Sequence, residues 1–165
     1  MSSGERIAIA PSQGITHIKR RQGLAHLSFP VDPYRSMGGP LQALADAEVS
    51  LLFVKRTPSL VSLAVSLKQQ QKAADILRQQ GLEVEVVAPC AVVCVVGSNM
   101  RHTAGVMWRI LARLHQAEVR VLSTSDSFNS VSCLVPQESV ERAVAGLSEE
   151  FSVSERREPA PLDPW

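Results

Sequence analysis

At 165 residues, 45% hydrophobic and 20% charged, the chain has the make-up of one globular domain or of two small ones sharing a core. A formal net charge of +1 gives no electrostatic case for binding nucleic acid or a membrane surface. No apolar run approaches the roughly 20 residues that span a bilayer, and the opening MSSGERIAIAPSQG lacks the basic-then-apolar order of a secretory signal, so a cytoplasmic location is expected.

Taken in chain order, RIAIAPSQGITHIKRRQ holds strand-like pieces around Ile7–Ala10 and Ile15–Ile18. GLAHLSFPV reads as a strand, Pro40–Ala47 as a short helix and VSLLFVK as a second strand. LVSLAVSL places Val61, Leu63, Val65 and Leu67 on one face and Ser62 and Ser66 on the other, the period of a half-buried strand. KQQQKAADILRQQG carries Ala73, Ala74 and Leu77 at helical spacing and stops at Gly81; LEVEVV then alternates as a strand. The same order begins again: CAVVCVVG is a strand, Ala104–Gln116 a helix, VRVLSTS and SVSCLV strands, and Glu138–Glu150 a helix with Val140, Ala143, Val144 and Leu147 on one stripe. A short last strand is expected at Phe151–Ser154, and the charged, proline-rich tail from residue 155 to 165 is expected to be disordered.

Sliding the chain against itself by about 70 residues without a gap pairs Leu44 with Leu114 and Ala47-Glu48-Val49 with Ala117-Glu118-Val119. It also pairs Leu52 with Leu122, Val61-Ser62 with Val131-Ser132, and Leu77 with Leu147. The matches respect the apolar faces, so the chain is a tandem repeat. A strand-helix-strand-strand-helix-strand unit is the ferredoxin-like arrangement, an α+β fold with an antiparallel sheet and helices on one face. A unit of about 65 residues is marginal alone, so each should be covered by its neighbour or by a second chain. One of the early strand pieces is a candidate for the strand that the second unit lacks at its end.

Cys90, Cys94 and Cys133 lie in apolar strand-like runs; the first two are about 13 Å apart along one strand, too far for a disulfide or a shared metal. They read as small buried hydrophobes. The four histidines are scattered, no GxxxxGK[ST] loop occurs, and aromatics at 4% are too few for a base-stacking sheet. No catalytic residue, metal ligand or cofactor is therefore assigned. The loop in VGSNMRHTAGVM is the exception. A strand ending at a helix start leaves backbone N–H groups at the positive end of the helix dipole, where a small carboxylate fits. Thr103 is placed to cap that helix, leaving N–H groups of the Ser98–His102 turn for a ligand. Ser123, Thr124, Ser125 and Asp126 end the adjacent strand, with hydroxyls and a carboxylate suited to an ammonium group.

The run GSNMRHTAGVMWRIL, followed by VRVLSTSDSFNSVSCLV and a helix, resembles the second ACT domain in the C-terminal regulatory region of aspartokinases. That family carries G-x-x-M-[KR]-x-x-P-G-V, a strand ending in T-S or S-T-S, and an I-S-x-L-[VI] strand. ALADAEVSLLFV resembles the family's first ACT domain. Nothing resembles the kinase opening K-[FY]-G-G-[ST]. The resemblance implies a non-catalytic module like the stand-alone regulatory (beta) subunit, with residues 1–14 an extension, 15–88 a degenerate first ACT-like domain and 89–154 the second ACT domain. It implies a small amino-acid effector (lysine, threonine, methionine or diaminopimelate) held at an interface between ACT units, a homodimer, and an aspartokinase catalytic subunit as partner. Ser98, Asn99, Met100, Arg101, His102 and Thr103 would take the carboxylate, and Asp32, Ser123, Ser125 and Asp126 the amine and side chain. Ala104 replaces the family proline, and Tyr34 and Arg35 stand where the first unit's Pro and Gly fall. The alternative is a structural dimerisation module whose ligand site has decayed.

Overall fold

The computed structural model describes residues 14–98, 100 and 103–156. Among these the order is β1 (Ile15–Pro30), α1 (Gly38–Asp46), β2 (Leu51–Arg56), β3 (Leu60–Ser66), α2 (Gln70–Gln79), β4 (Glu85–Gly97), α3 (Val106–Gln116), β5 (Ser123–Asp126), β6 (Ser130–Pro136) and α4 (Val140–Phe151). The strands form one antiparallel sheet in the order β2-β3-β1-β4-β6-β5. The strands expected at LEVEVV and CAVVCVVG are a single strand, β4, and the piece at Ile15–Ile18 runs without a break into β1. The other early piece, Ile7–Ala10, lies outside the described residues.

These two long strands join the halves. The second part of β1 pairs with β3 from Leu24 to Pro30, while its first part pairs with β4 from Ile15↔Gly97 to Arg21↔Val92. Residues 15–21 therefore give the second unit its fourth strand, and β4 closes the first unit through Glu85–Val87 before opening the second. A strand that serves two units must keep its apolar side toward the helices of both. A strict period of two allows this only when the pattern is continuous; here it is not, because Ile18 faces α3 and α4 whereas Ala25, Leu27 and Phe29 face α1 and α2. Register shifts on either side of Leu24, beside Gly23 at φ 73°, insert the odd residue that restores the facing. β4 makes the same correction, since Val86 packs with the first-unit core, Val87 and Cys90 with the opposite face, and Ala91, Val93 and Val95 with the second-unit core.

All four helices thus cover one face of the sheet. The other face is closed by curvature. Leu24, Ala64, Cys90, Val92 and Leu134 are buried there with Leu52, Phe53 and Leu122 against them. The outermost strands approach each other, so that Lys55 Nζ on β2 lies 3.4 Å from Thr124 Oγ1 on β5. Burial raises the Cys90 thiol pKa and pushes that of Cys133 up to about 12, with Cys94 adding to the latter, as befits cysteines that behave as hydrophobes.

The shift of 70 is visible in backbone detail. Glu48 and Glu118 are both left-handed, at φ 56° and 54°. Val49 N donates to Leu44 O and Val119 N to Leu114 O, each at 2.9 Å, while Glu48 N and Glu118 N donate to Ala45 O and His115 O. This is a Schellman helix stop in both units, with the apolar Val of A-E-V packed back on the helix, but with Glu where glycine is free of steric cost. Glu118→Gly should raise stability by about 1 kcal/mol, read as a higher urea midpoint at unchanged slope.

Two expectations are corrected. Phe151 ends α4 and the segment after it is no strand over Phe151–Ser154; instead Glu155 makes an isolated parallel bridge with Ile18. Ile18 N donates to Ser154 O and Arg156 N to Ile18 O, and Glu155 pairs with Arg20 at 2.7 Å, so residues 155 and 156 are held, not disordered. β5 is shorter than VRVLSTS because Val119 is engaged in the helix stop.

Candidate functional site

The site grows from a tight backbone crossing. Gly97 ends β4, and a Cβ there would stand 2.4 Å from Gly14 O; a Cβ on Gly14, at φ 108°, would meet Ser98 O at the same distance. Ser98 N donates to Gly14 O at 2.6 Å and Gly97 N to Asn129 O at 2.9 Å, so the end of β4 is pinned to the strands on both sides. The chain then crosses to α3, whose axis is set by Ile110 and Leu114 in the core and by a clasp to α4. Arg109 Nε donates to Glu150 at 2.7 Å while its guanidinium lies 4.7 Å from the centre of the Phe151 ring, and Arg113 pairs with Glu149.

Thr103 does not cap this helix. Its N-cap is Gly105 at φ 84°, without a side-chain cap, and Thr103 N donates to Met100 O at 3.3 Å. The first intrahelical bond recorded is Arg109 N to Gly105 O, which places the N–H groups of Val106, Met107 and Trp108 ahead of it at the positive end of the dipole. Ser98 N is thus already bonded, and the described N–H groups at the positive end of the helix dipole belong to the first turn of α3.

A cavity of about 400 Å³ opens at that turn, lined by Met100, Thr103 and Gly105–Trp108 on one side and Asp126, Ser127 and Val131 on the other. Asp126 is the one acid among the described lining residues, and the walls are otherwise mainly apolar. Trp108 is 65% exposed, unusual for so large a ring on the outer side of a helix. The helical period marks Met107 and Trp108 only as neighbours of the core stripe, and Val131 reads as a core residue of its strand, so sequence reasoning does not single them out as site residues; an exposed Trp one turn into a helix is the available signal.

The sequence-derived set is distributed over several pockets. Met100, Thr103 and Asp126 line this cavity, and Ser98 is at its root. Ser123 and Ser125 do not line it: Ser123 lines a groove with Lys55, Thr57 and Ser62, and Ser125 one with Phe53, Val54 and Lys55, whose lining Asp126 shares. Asn99, Arg101 and His102 lie outside the described residues. Asp32 is at the opposite end of β1, up to about 50 Å of strand away, where its Oδ1 accepts from Tyr34 N at 2.8 Å in a local turn. Among the described residues no three His, Cys, Asp or Glu stand together as a metal site.

With this geometry in place, comparison with known proteins is informative. Residues 93–151 match the family model described as ACT domain. That stretch of the second unit is thus similar to an ACT domain. Over a longer span the chain is 29% identical over 143 residues to aspartokinase 1 of Bacillus subtilis (strain 168), covering 86% of this chain and 35% of that protein; it thus spans about a third of the relative's length. Among solved structures it is similar to the regulatory subunit of aspartate kinase from Thermus flavus (TM-score 0.77, 18% identity, 84% of this chain and 99% of that one). It is also similar to a chain in a crystal structure of aspartokinase alpha and beta subunits (TM-score 0.76, 22% identity, 84% and 99%). Aspartate kinase from Synechocystis aligns at a TM-score of 0.80 and 17% identity, over 92% of this chain and 29% of that one. These solved structures share the fold of this chain over most of its length. No helix among the described residues is long and apolar enough to cross a membrane.

Proposed function

We propose that the chain is a non-catalytic regulatory module that binds a small amino acid at the start of α3 and so controls an aspartokinase-type kinase. The observation that carries the reading is the cavity that brings the first-turn N–H groups of α3 opposite the Asp126 carboxylate. The helix start receives the effector's carboxylate and Asp126 its ammonium, as an α-amino acid requires. The described walls offer Met100, Met107, Trp108 and Val131 to the side chain and no second acid. Threonine or methionine therefore fits better than lysine or diaminopimelate.

In this reading residues 15–88 and 89–154 are the two ACT units, and a second copy completes the site by bringing another unit to the exposed Trp108 side. Effector binding regulates only through unequal affinity for two arrangements of the paired units. Because β1 and β4 run through both halves, a change at Gly97–Val106 is transmitted along strands that the first unit also uses.

A thermal-shift and calorimetry panel with lysine, threonine, methionine and diaminopimelate tests this. An effector at about 100 times its Kd should add roughly 2.7 kcal/mol of stability, and Asp126→Asn should weaken binding by at least about tenfold, from the loss of an ion-paired hydrogen bond, with an unchanged unfolding midpoint in the absence of effector. Asp32→Ala separates two geometries: weakened binding places the partner chain's first-unit loop in the site, and unchanged binding removes Asp32 from it. Silence toward all four amino acids in a dimeric sample would leave the structural dimerisation reading.

A further inference from the structure

The face of the sheet without helices holds a second, differently built pocket where its two edges meet. On β2, Lys55 pairs with Ser62 of β3; across the gap, β5 presents Ser123. Lys55, Thr57, Leu60, Ser62, Leu122 and Ser123 line a groove of about 310 Å³ between the two units.

Three features distinguish it from ordinary surface relief. Ser123 is 8% exposed, and its Oγ is buried with no hydrogen-bond partner among the described residues. A buried hydroxyl left unpaired is costly and marks a place where something else supplies the partner. Ser62, 7% exposed, is held by His26 Nε2 at 3.1 Å and so presents a fixed hydroxyl to the same groove. Lys55 is the only charged group among the described lining residues; its ammonium reaches Thr124 Oγ1 and O at 3.4 and 3.5 Å, and no described carboxylate lies within ion-pair distance.

From these we infer that the groove between β2 and β5 is an intramolecular binding site for a small aliphatic monocarboxylate. Lys55 and the Ser123 hydroxyl bind the carboxylate, and Leu60 and Leu122 cover a short apolar body. One ammonium matches one negative charge; a phosphate dianion would bring a second charge against apolar walls with no second cation. No acid lines the groove to receive an ammonium, which separates this site from the cavity at α3. A ligand here bridges the opposite edges of the sheet and binds the two units to each other within one chain.

Isovalerate is the probe, with isoamyl alcohol as its neutral counterpart of the same body, titrated into the full chain and followed by amide NMR shifts. Saturable isovalerate shifts centred on Ser62, Leu122 and Ser123 are expected, with at least tenfold weaker binding for the alcohol. Lys55→Met, at an exposed position, should weaken isovalerate at least tenfold and leave the alcohol unchanged. Ser123→Ala should move two quantities in opposite senses: it raises the unfolding midpoint without ligand, by removing the unpaired hydroxyl, and weakens isovalerate. Absence of saturable binding, equal binding of acid and alcohol, indifference to Lys55→Met, or shifts centred on Val106–Trp108 would each overturn the assignment. The last would move the ligand to the α3 cavity without bearing on whether that cavity binds amino acids.

Discussion

Ile18→Ala should destabilise the chain by about 2–4 kcal/mol, the range for truncating a fully buried aliphatic side chain, even though residue 18 lies outside the run of residues that forms the second unit in sequence. Ile18 is 0% exposed and packs with Val93, Val95, Leu147 and Phe151 in the second-unit core. Its backbone is held on both sides, by Val95 of β4 in the ladder and by Ser154 and Arg156 in the bridge after α4. Loss of the side chain leaves a cavity between β4 and α4 at the point where the second unit borrows its fourth strand. Urea unfolding checks this, with Leu60→Ala, 42% exposed, as the control expected to cost well under half as much. If Ile18→Ala were as mild as the control, residues 15–21 would not be part of the second unit's core.

Gly97→Ala is the second large effect, and it ties stability to the candidate site. The added Cβ would meet Gly14 O at 2.4 Å and the Gly14 carbonyl carbon and Ile15 Cα at 3.0 Å, all of them backbone atoms that cannot rotate away. β1 and β4 must separate at their ends, which disrupts the bonds Ser98 N to Gly14 O and Gly97 N to Asn129 O that fix the entry to α3. A loss of about 2–4 kcal/mol follows from forced displacement in a packed region, with amino-acid binding at α3 weakened under conditions where the variant remains folded. Gly81→Ala supplies the contrast. Its φ of 73° also favours glycine, but nothing stands within 4 Å of the added Cβ, so the cost should be only the local one of about 1 kcal/mol. Equal losses for the two variants would point to backbone conformation, not the close crossing, as the source of the Gly97 effect.

Much of the site was legible in VGSNMRHTAGVM and STSD because both the start of a helix and the end of a strand are local events. The period of the apolar residues places α3 to within two residues, and the positive end of its dipole follows from the helix itself. What failed was the fine placement. Thr103 was assigned as the cap because its side chain suits one, but the chain turns two residues later, at Gly105, the residue that accepts φ 84°. Asp32, Ser123, Ser125 and Asp126 read as one polar set; in the fold Asp126 lines the α3 cavity and shares a groove with Ser125, Ser123 lines a separate groove, and the length of β1 carries Asp32 away from all three.

The repeat, the α+β class and the apolar faces were determined by the sequence alone, since a shift of 70 brings like residues together and each unit's elements follow from short-range periodicity. Even the unusual left-handed glutamates recur at that spacing. The tertiary structure decided how two marginal units become one sheet. That β1 and β4 each serve both halves, that bulges at Leu24 and around Pro89 turn their apolar sides to the right helices, and that the free edges curl until Lys55 reaches Thr124 are outcomes of pairing between residues far apart in the chain. Such pairing is chosen by the burial it achieves, a sum over both units at once, and no local pattern carries that sum.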